Sequence, residues 1–205
     1  MQDKSYNIFT EKEAPFQLWY QAWRGRMLAP FLRFCVWAGI TPLTLSLCGL
    51  LSMFLLPLSF LYAPAWVLVA YGLHVFFDGV DGALARHMKV DSARGSYVDI
   101  VVDHLALMVT VLTLQWFGVG DPFWVLLFTS TYLLLIVHLL ILNVRGMPPP
   151  IPVIRSRYLM FLVVILLQFG AITEAHLDMF FFVAGIYHAA ILFAYFFLLG
   201  WSLPS

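Results

Sequence analysis

The sequence predicts an all-α integral membrane protein: six transmembrane helices preceded by an N-terminal interfacial amphipathic helix. Three observations carry this. Of 205 residues, 62% are hydrophobic and only 11% charged, against roughly 25% charged in a soluble domain. Apolar runs of about 20 residues recur, the length that crosses ~30 Å of hydrocarbon at ~1.5 Å per residue. The connections are short, and lipid offers no water to satisfy an open strand edge, so one helical bundle is the economical architecture.

In chain order, residues 1–14 are polar and read as flexible, too acidic for a signal-peptide core. Over 15–40, Phe16, Trp19, Tyr20, Trp23 and Met27 recur at helical spacing while Gln17, Gln21 and Arg24 take the other face. That is the pattern of a helix lying in the headgroup layer with its arginines toward anionic lipid. Leu28 to Ala38 is too short to span and is expected to continue along the interface. Gly39-Ile40-Thr41-Pro42 turns the chain, with Pro42 suited to the first turn of the first span.

A six-helix bundle is then expected over 43–199. Its spans fall at about 43–62, 64–86, 96–117, 123–142, 158–174 and 177–199. Pro57 should kink the first span. The prolines of RGMPPPIPVIRSR favour an extended segment. The whole chain, 1–205, reads as a single membrane domain. Cys35 and Cys48 lack paired spacing and read as small buried hydrophobes. His138 and His188 lie mid-span and are expected to pair with each other. Glu174 and Asp178 are expected to be solvated.

The net charge is zero, but its distribution is informative. All 11 Lys and Arg fall before the first span, between the second and third, or between the fourth and fifth. The positive-inside rule puts those regions in the cytoplasm, whether the membrane is that of a bacterial or archaeal cell or of an organelle.

Charge inside this apolar chain is concentrated in one place. Asp78, Gly82 and Arg86 are spaced i, i+4, i+8, with Asp81 and Ala85 beside that stripe; Gly95, Asp99 and Asp103 repeat the spacing on the next helix. Residues so spaced share a helix face, so four carboxylates can converge, and small residues allow the helices to approach closely. An ionisable residue within a span marks a functional site. Four like charges need a cation or their protons, and an all-oxygen donor set favours Mg²⁺ or Mn²⁺. Such a site beside Arg86 would trap a diphosphate and suit phosphoryl transfer.

These eight positions, written D-x2-D-G-x2-A-R-x8-G-x3-D-x3-D, resemble the signature of the CDP-alcohol phosphotransferase family at every fixed residue. The resemblance implies transfer of a substituted phosphate from a CDP-linked donor to an alcohol, with release of CMP, by a homodimer. It implies that Asp78, Asp81 and Asp99 bind metal and that Asp103 completes the metal site or acts as base. Gly82, Ala85 and Arg86, with Gly95 and Ser46, would hold the cytidine diphosphate. The family's Thr-Pro-Asn element reads Thr41-Pro42-Leu43 here, without the Asn. Ile100 and His104 stand where enzymes making phosphatidylglycerol phosphate commonly have Pro and Lys. Arg145, Arg155 and Arg157 could receive a phosphorylated acceptor, and His74, one turn before Asp78, could brace a carboxylate.

The expected activity is therefore transfer of a phosphatidyl group from CDP-diacylglycerol to a small polar alcohol. The alternatives are CDP-choline or CDP-ethanolamine donating to diacylglycerol and, outside enzymes, a divalent metal transporter or channel. Transport would want acids distributed along a pore, whereas these sit at one end. No nucleic-acid partner is expected.

Overall fold

The computed structural model describes residues 14–144, 147, 153–154 and 156–200, and among them every regular element is a helix. These are α1 (Ala14–Trp37), α2 (Pro42–Ser52), a 3₁₀ turn at Met53–Leu55, α3 (Pro57–Leu61), α4 (Ala65–Met88), α5 (Ala93–Trp116), α6 (Pro122–Val144), α7 (Ser156–Gln168) and α8 (Glu174–Gly200). Nearly all of the segment expected to be flexible at the N-terminus lies outside the described residues. Among the described residues, five helical segments are long and apolar enough to cross a membrane: Pro42–Leu61, Ala65–Met88, Arg94–Trp116, Pro122–Leu142 and Glu174–Phe197. The stretch expected as a further span forms the 13-residue α7, which at ~1.5 Å per residue is about 20 Å long, short of the hydrocarbon thickness. The chain groups into two compact units, one ending at Thr110 and the other beginning at Val111.

In the first unit, α1 closes in a Schellman motif: Gly39 adopts φ 68, its N–H bonds the Val36 carbonyl and that of Ile40 bonds Cys35. Thr41 caps α2, its Oγ1 accepting from Thr44 N at 3.2 Å, with Pro42 in the first turn. The expected interruption at Pro57 is present as the 3₁₀ turn between α2 and α3.

One face of α1 docks on α4. Leu32 and Cys35 are buried with Val80, Ala83 and Leu84, and Leu28 packs against that cluster; burial also pushes the Cys35 thiol up from its ordinary pKa. Trp19, Trp23 and Met27 are exposed. The amphipathic pattern expected of α1 is not confirmed: apolar and polar residues are not segregated along it, because Phe34, Val36 and Trp37 are exposed while Leu32 and Cys35 are buried, which puts apolar side chains on more than one face.

Small residues let α2 cross α4 closely. A β-carbon on Gly49 would lie 3.2 Å from Phe77 Cβ. His74 Nδ1 is 3.2 Å from the Gly49 carbonyl, and Ser52 Oγ donates to Ala70 O at 3.3 Å. At the far end of α4, Lys89 takes φ 57 and Ser92 Oγ accepts from Gly95 N at 3.1 Å, so a four-residue connection turns the chain into α5. Gly95 is exposed and a β-carbon there would meet only Ser92 Oγ. It opens space rather than sealing a helix contact, contrary to the packing role its spacing suggested.

In the second unit, α6 and α8 cross where a β-carbon on Gly185 would lie 3.0 Å from Leu127 Cγ and 3.2 Å from Phe128 N. The two mid-span histidines do not pair. His188 Nε2 is 2.8 Å from Ser156 Oγ, while His138 stacks on Tyr195. Asp178 is not simply solvated either: its Oδ1 accepts from Asp121 N at 2.7 Å, anchoring the start of α6.

Candidate active site

The last turns of α4 and the first turns of α5 place the acidic motif within the first unit. One carboxylate oxygen from each of Asp78, Asp99 and Asp103 lies within 4.8 Å of the others, and all three side chains are half-buried. Asp78 comes from α4, Asp99 and Asp103 from one face of α5, so the convergence is between helices. It follows from the i, i+4 spacing on α5 and the tight connection at Lys89–Ser92.

Asp81 lies deeper, 5% exposed, and is outside that three-carboxylate group. Its Oδ2 accepts from Ser46 Oγ at 2.5 Å and its Oδ1 from the Gly82 N–H, while its charge interacts with those of Asp99 and Asp78. Ser46 thus reaches the site as the donor that orients Asp81. The Arg86 guanidinium lies over Gly82, with Nη1 3.5 Å and Nη2 3.8 Å from where a β-carbon would sit. Arg86 is attracted by Asp91, Asp81 and Asp99, and its buried Nη2 has no hydrogen-bond partner among the described residues. Ala85 is half-buried beside it.

The residues present fit a hard divalent cation. Bonds of roughly 2.0–2.6 Å let one ion bind oxygens about 3–5 Å apart, the range in which these carboxylates lie. Three converging acids with only oxygen donors suit Mg²⁺ or Mn²⁺ better than a metal that prefers nitrogen or sulfur.

His74 is buried and holds the α2 backbone through Gly49. Arg157 belongs to the second unit, 3% exposed, with Nη2 donating to Tyr158 Oη at 2.7 Å. Arg145 and Arg155 lie outside the described residues. Arg24, expected to face lipid headgroups, lies beside the motif, with Nη1 3.9 Å from a β-carbon position on Gly79 and Nη2 3.9 Å from that on Gly82. Its signal was its place on the stripe shared with Leu28, Leu32 and Cys35.

Comparison with known proteins agrees with this geometry. A phosphatidylinositol phosphate synthase of Streptomyces avermitilis is 32% identical over 88 residues, covering 42% of this chain and 36% of that protein. The chain therefore spans about a third of the length of this curated relative. No solved structure matches. The family model for CDP-alcohol phosphatidyltransferase matches residues 39–199, which include the whole acidic motif. With more than half its length so matched, the chain belongs to the CDP-alcohol phosphatidyltransferase family.

Proposed function

We propose that this chain transfers a phosphatidyl group from CDP-diacylglycerol to a small polar alcohol, phosphorylated or not, and releases CMP. The observation that carries the reading is the convergence of Asp78, Asp99 and Asp103 in the motif that also holds Arg86, whose buried Nη2 has no hydrogen-bond partner among the described residues. Family membership supports the CDP-linked donor. A relative named as a phosphatidylinositol phosphate synthase supports the phosphatidyl group as the one moved and a phosphorylated acceptor. The match over 39–199 supports treating the bundle as one catalytic domain.

In this reading Asp78, Asp81 and Asp99, completed by Asp103, hold Mg²⁺ or Mn²⁺, which neutralises charge on the diphosphate. Arg86 and Gly82 hold the diphosphate, with Ala85, Gly95 and Ser46 contributing to the nucleotide site. The acceptor oxygen bonds to the lipid-side phosphorus as the bond to the bridging oxygen breaks, and that electron pair leaves with CMP. Asp103 takes the acceptor's proton. We assign Arg145, Arg155 and Arg157 to a phosphorylated acceptor and place the acidic cluster on the cytoplasmic side, where the Lys and Arg are concentrated. The family resemblance supports a homodimer, which light scattering in detergent would test.

Purified protein with Mg²⁺ and CDP-diacylglycerol should release CMP when offered a panel of polar and phosphorylated alcohols. CMP release only from CDP-choline or CDP-ethanolamine with diacylglycerol would reverse the roles of the lipids. Release from neither donor would sink the proposal.

Ser46 supplies a finer test. A hydrogen bond to a charged group contributes about 1.5–3 kcal/mol, and Ser46→Ala removes one from a buried carboxylate. Ser46→Ala should therefore lower kcat/KM for CDP-diacylglycerol about 10- to 100-fold, measured by CMP release, while Ser46→Thr, which keeps the hydroxyl, retains most activity.

A further inference from the structure

We infer that Arg24, delivered by α1, forms the second half of the donor's diphosphate seat, facing Arg86 across Gly79 and Gly82. The inference rests on the CDP-linked donor proposed above and assigns a substrate contact to a helix outside the acidic motif. Its first support is position. Both Arg24 and Arg86 place a guanidinium nitrogen within 4 Å of the β-carbon site on Gly82, and Arg24 does the same at Gly79. Its second is electrostatic: the two guanidiniums repel one another even with Asp91, Asp81 and Asp99 acting on Arg86, and an anion set between two like charges relieves that repulsion. Its third is that Arg86 Nη2, 3.8 Å from the β-carbon site on Gly82, is buried without a hydrogen-bond partner among the described residues.

The docking of α1 explains how an interfacial helix reaches so far. Arg24, Leu28, Leu32 and Cys35 run i, i+4, i+8, i+11 along one stripe, and the apolar three are held against Val80, Ala83 and Leu84. The stripe therefore aims Arg24 at the glycines one turn before and beside that cluster. A diphosphate offers oxygens on two phosphorus atoms, matching two planar donors. An anionic lipid headgroup offers similar chemistry from the membrane.

The test titrates CDP and CMP into the full-length protein with Mg²⁺, in phosphatidylcholine nanodiscs and in nanodiscs containing phosphatidylglycerol. Arg24→Ala and the neutral, similarly sized Arg24→Gln should each weaken CDP binding roughly tenfold or more and CMP binding much less, in both lipids. Arg24→Lys should recover part of the loss. Arg26→Ala, on the exposed side of α1, should change neither Kd. Wild-type affinity for CDP in both neutral variants would overturn the inference while leaving the donor assignment intact. Tighter CDP binding would also overturn it, since Arg24 would then be blocking the carboxylates. A loss of stabilisation by phosphatidylglycerol with CDP binding unchanged would assign Arg24 to the headgroup instead. If the wild-type protein binds no CDP at all, the donor assignment and this inference fall together.

Discussion

Asp99→Asn should reduce CMP release roughly a hundred- to ten-thousandfold without unfolding the protein. Asparagine keeps the size and one carbonyl oxygen of the side chain but removes the negative charge at a point where three carboxylate oxygens lie within 4.8 Å. Asp99 also interacts electrostatically with Asp81 and with Arg86, so the substitution reaches both the cation site and the diphosphate seat. Removing one partner from a buried set of charges costs about 3–5 kcal/mol, which as transition-state stabilisation is roughly two to four orders of magnitude in rate. CMP release under saturating Mg²⁺, compared with Glu174→Gln, measures it. Glu174 is exposed at the start of α8 in the other unit, so its variant should behave as wild type. An Asp99→Asn protein with a normal melting profile and near-normal turnover would remove the acidic group from the chemistry.

The parts of this site that were legible in the sequence are those governed by local rules. Carboxylates at i and i+4 share a helix face wherever that helix goes, and charge within an apolar run stands out because lipid disfavours it. The turn at Gly39 was equally readable, since a helix ending in the left-handed conformation favours glycine. What was not legible depended on which partner each face meets. Arg24 has the spacing of either a lipid-facing or a docked residue, and only the burial of Leu32 and Cys35 against α4 decides between them. His188 found Ser156 rather than His138, because crossing helices juxtapose residues whose sequence separation carries no periodic signal. Gly95 matched the stripe of Asp99 and Asp103 but opens space at a capped helix start. A stripe of small residues does not by itself say whether a neighbour will come close.

Burial also divides the labour among the four acids in a way spacing could not. Asp81 receives two donors from the protein, Ser46 Oγ and Gly82 N–H, so part of its charge is already balanced. It is held by α2 through Ser46, and α2 is in turn fixed to α4 at Gly49 and Ser52. The less buried Asp78, Asp99 and Asp103 form the more accessible group.

That division leads to the second large effect, removal of divalent metal. Three half-buried carboxylates within 4.8 Å repel one another, and a divalent cation relieves that repulsion more fully than protons, water or separation of α4 from α5. Chelation with EDTA should therefore abolish CMP release and lower the melting temperature of the wild-type protein, with Mg²⁺ or Mn²⁺ restoring both. Binding to the folded state alone stabilises by RT ln(1 + [L]/Kd), about 2.7 kcal/mol at a hundredfold excess over Kd, a shift of several degrees in a thermal scan. The same addition should barely move the melting temperature of Asp78→Asn or Asp99→Asn, whose ligand sets are incomplete, even if their melting without metal matches or exceeds that of wild type because repulsion is relieved. Ca²⁺ gives a further discrimination. Its longer bonds tolerate looser geometry, so it should stabilise the fold while supporting little turnover. Full CMP release in EDTA would show that these carboxylates balance their charge by protonation, and the phosphoryl group would have to be stabilised by Arg86 and its neighbours alone.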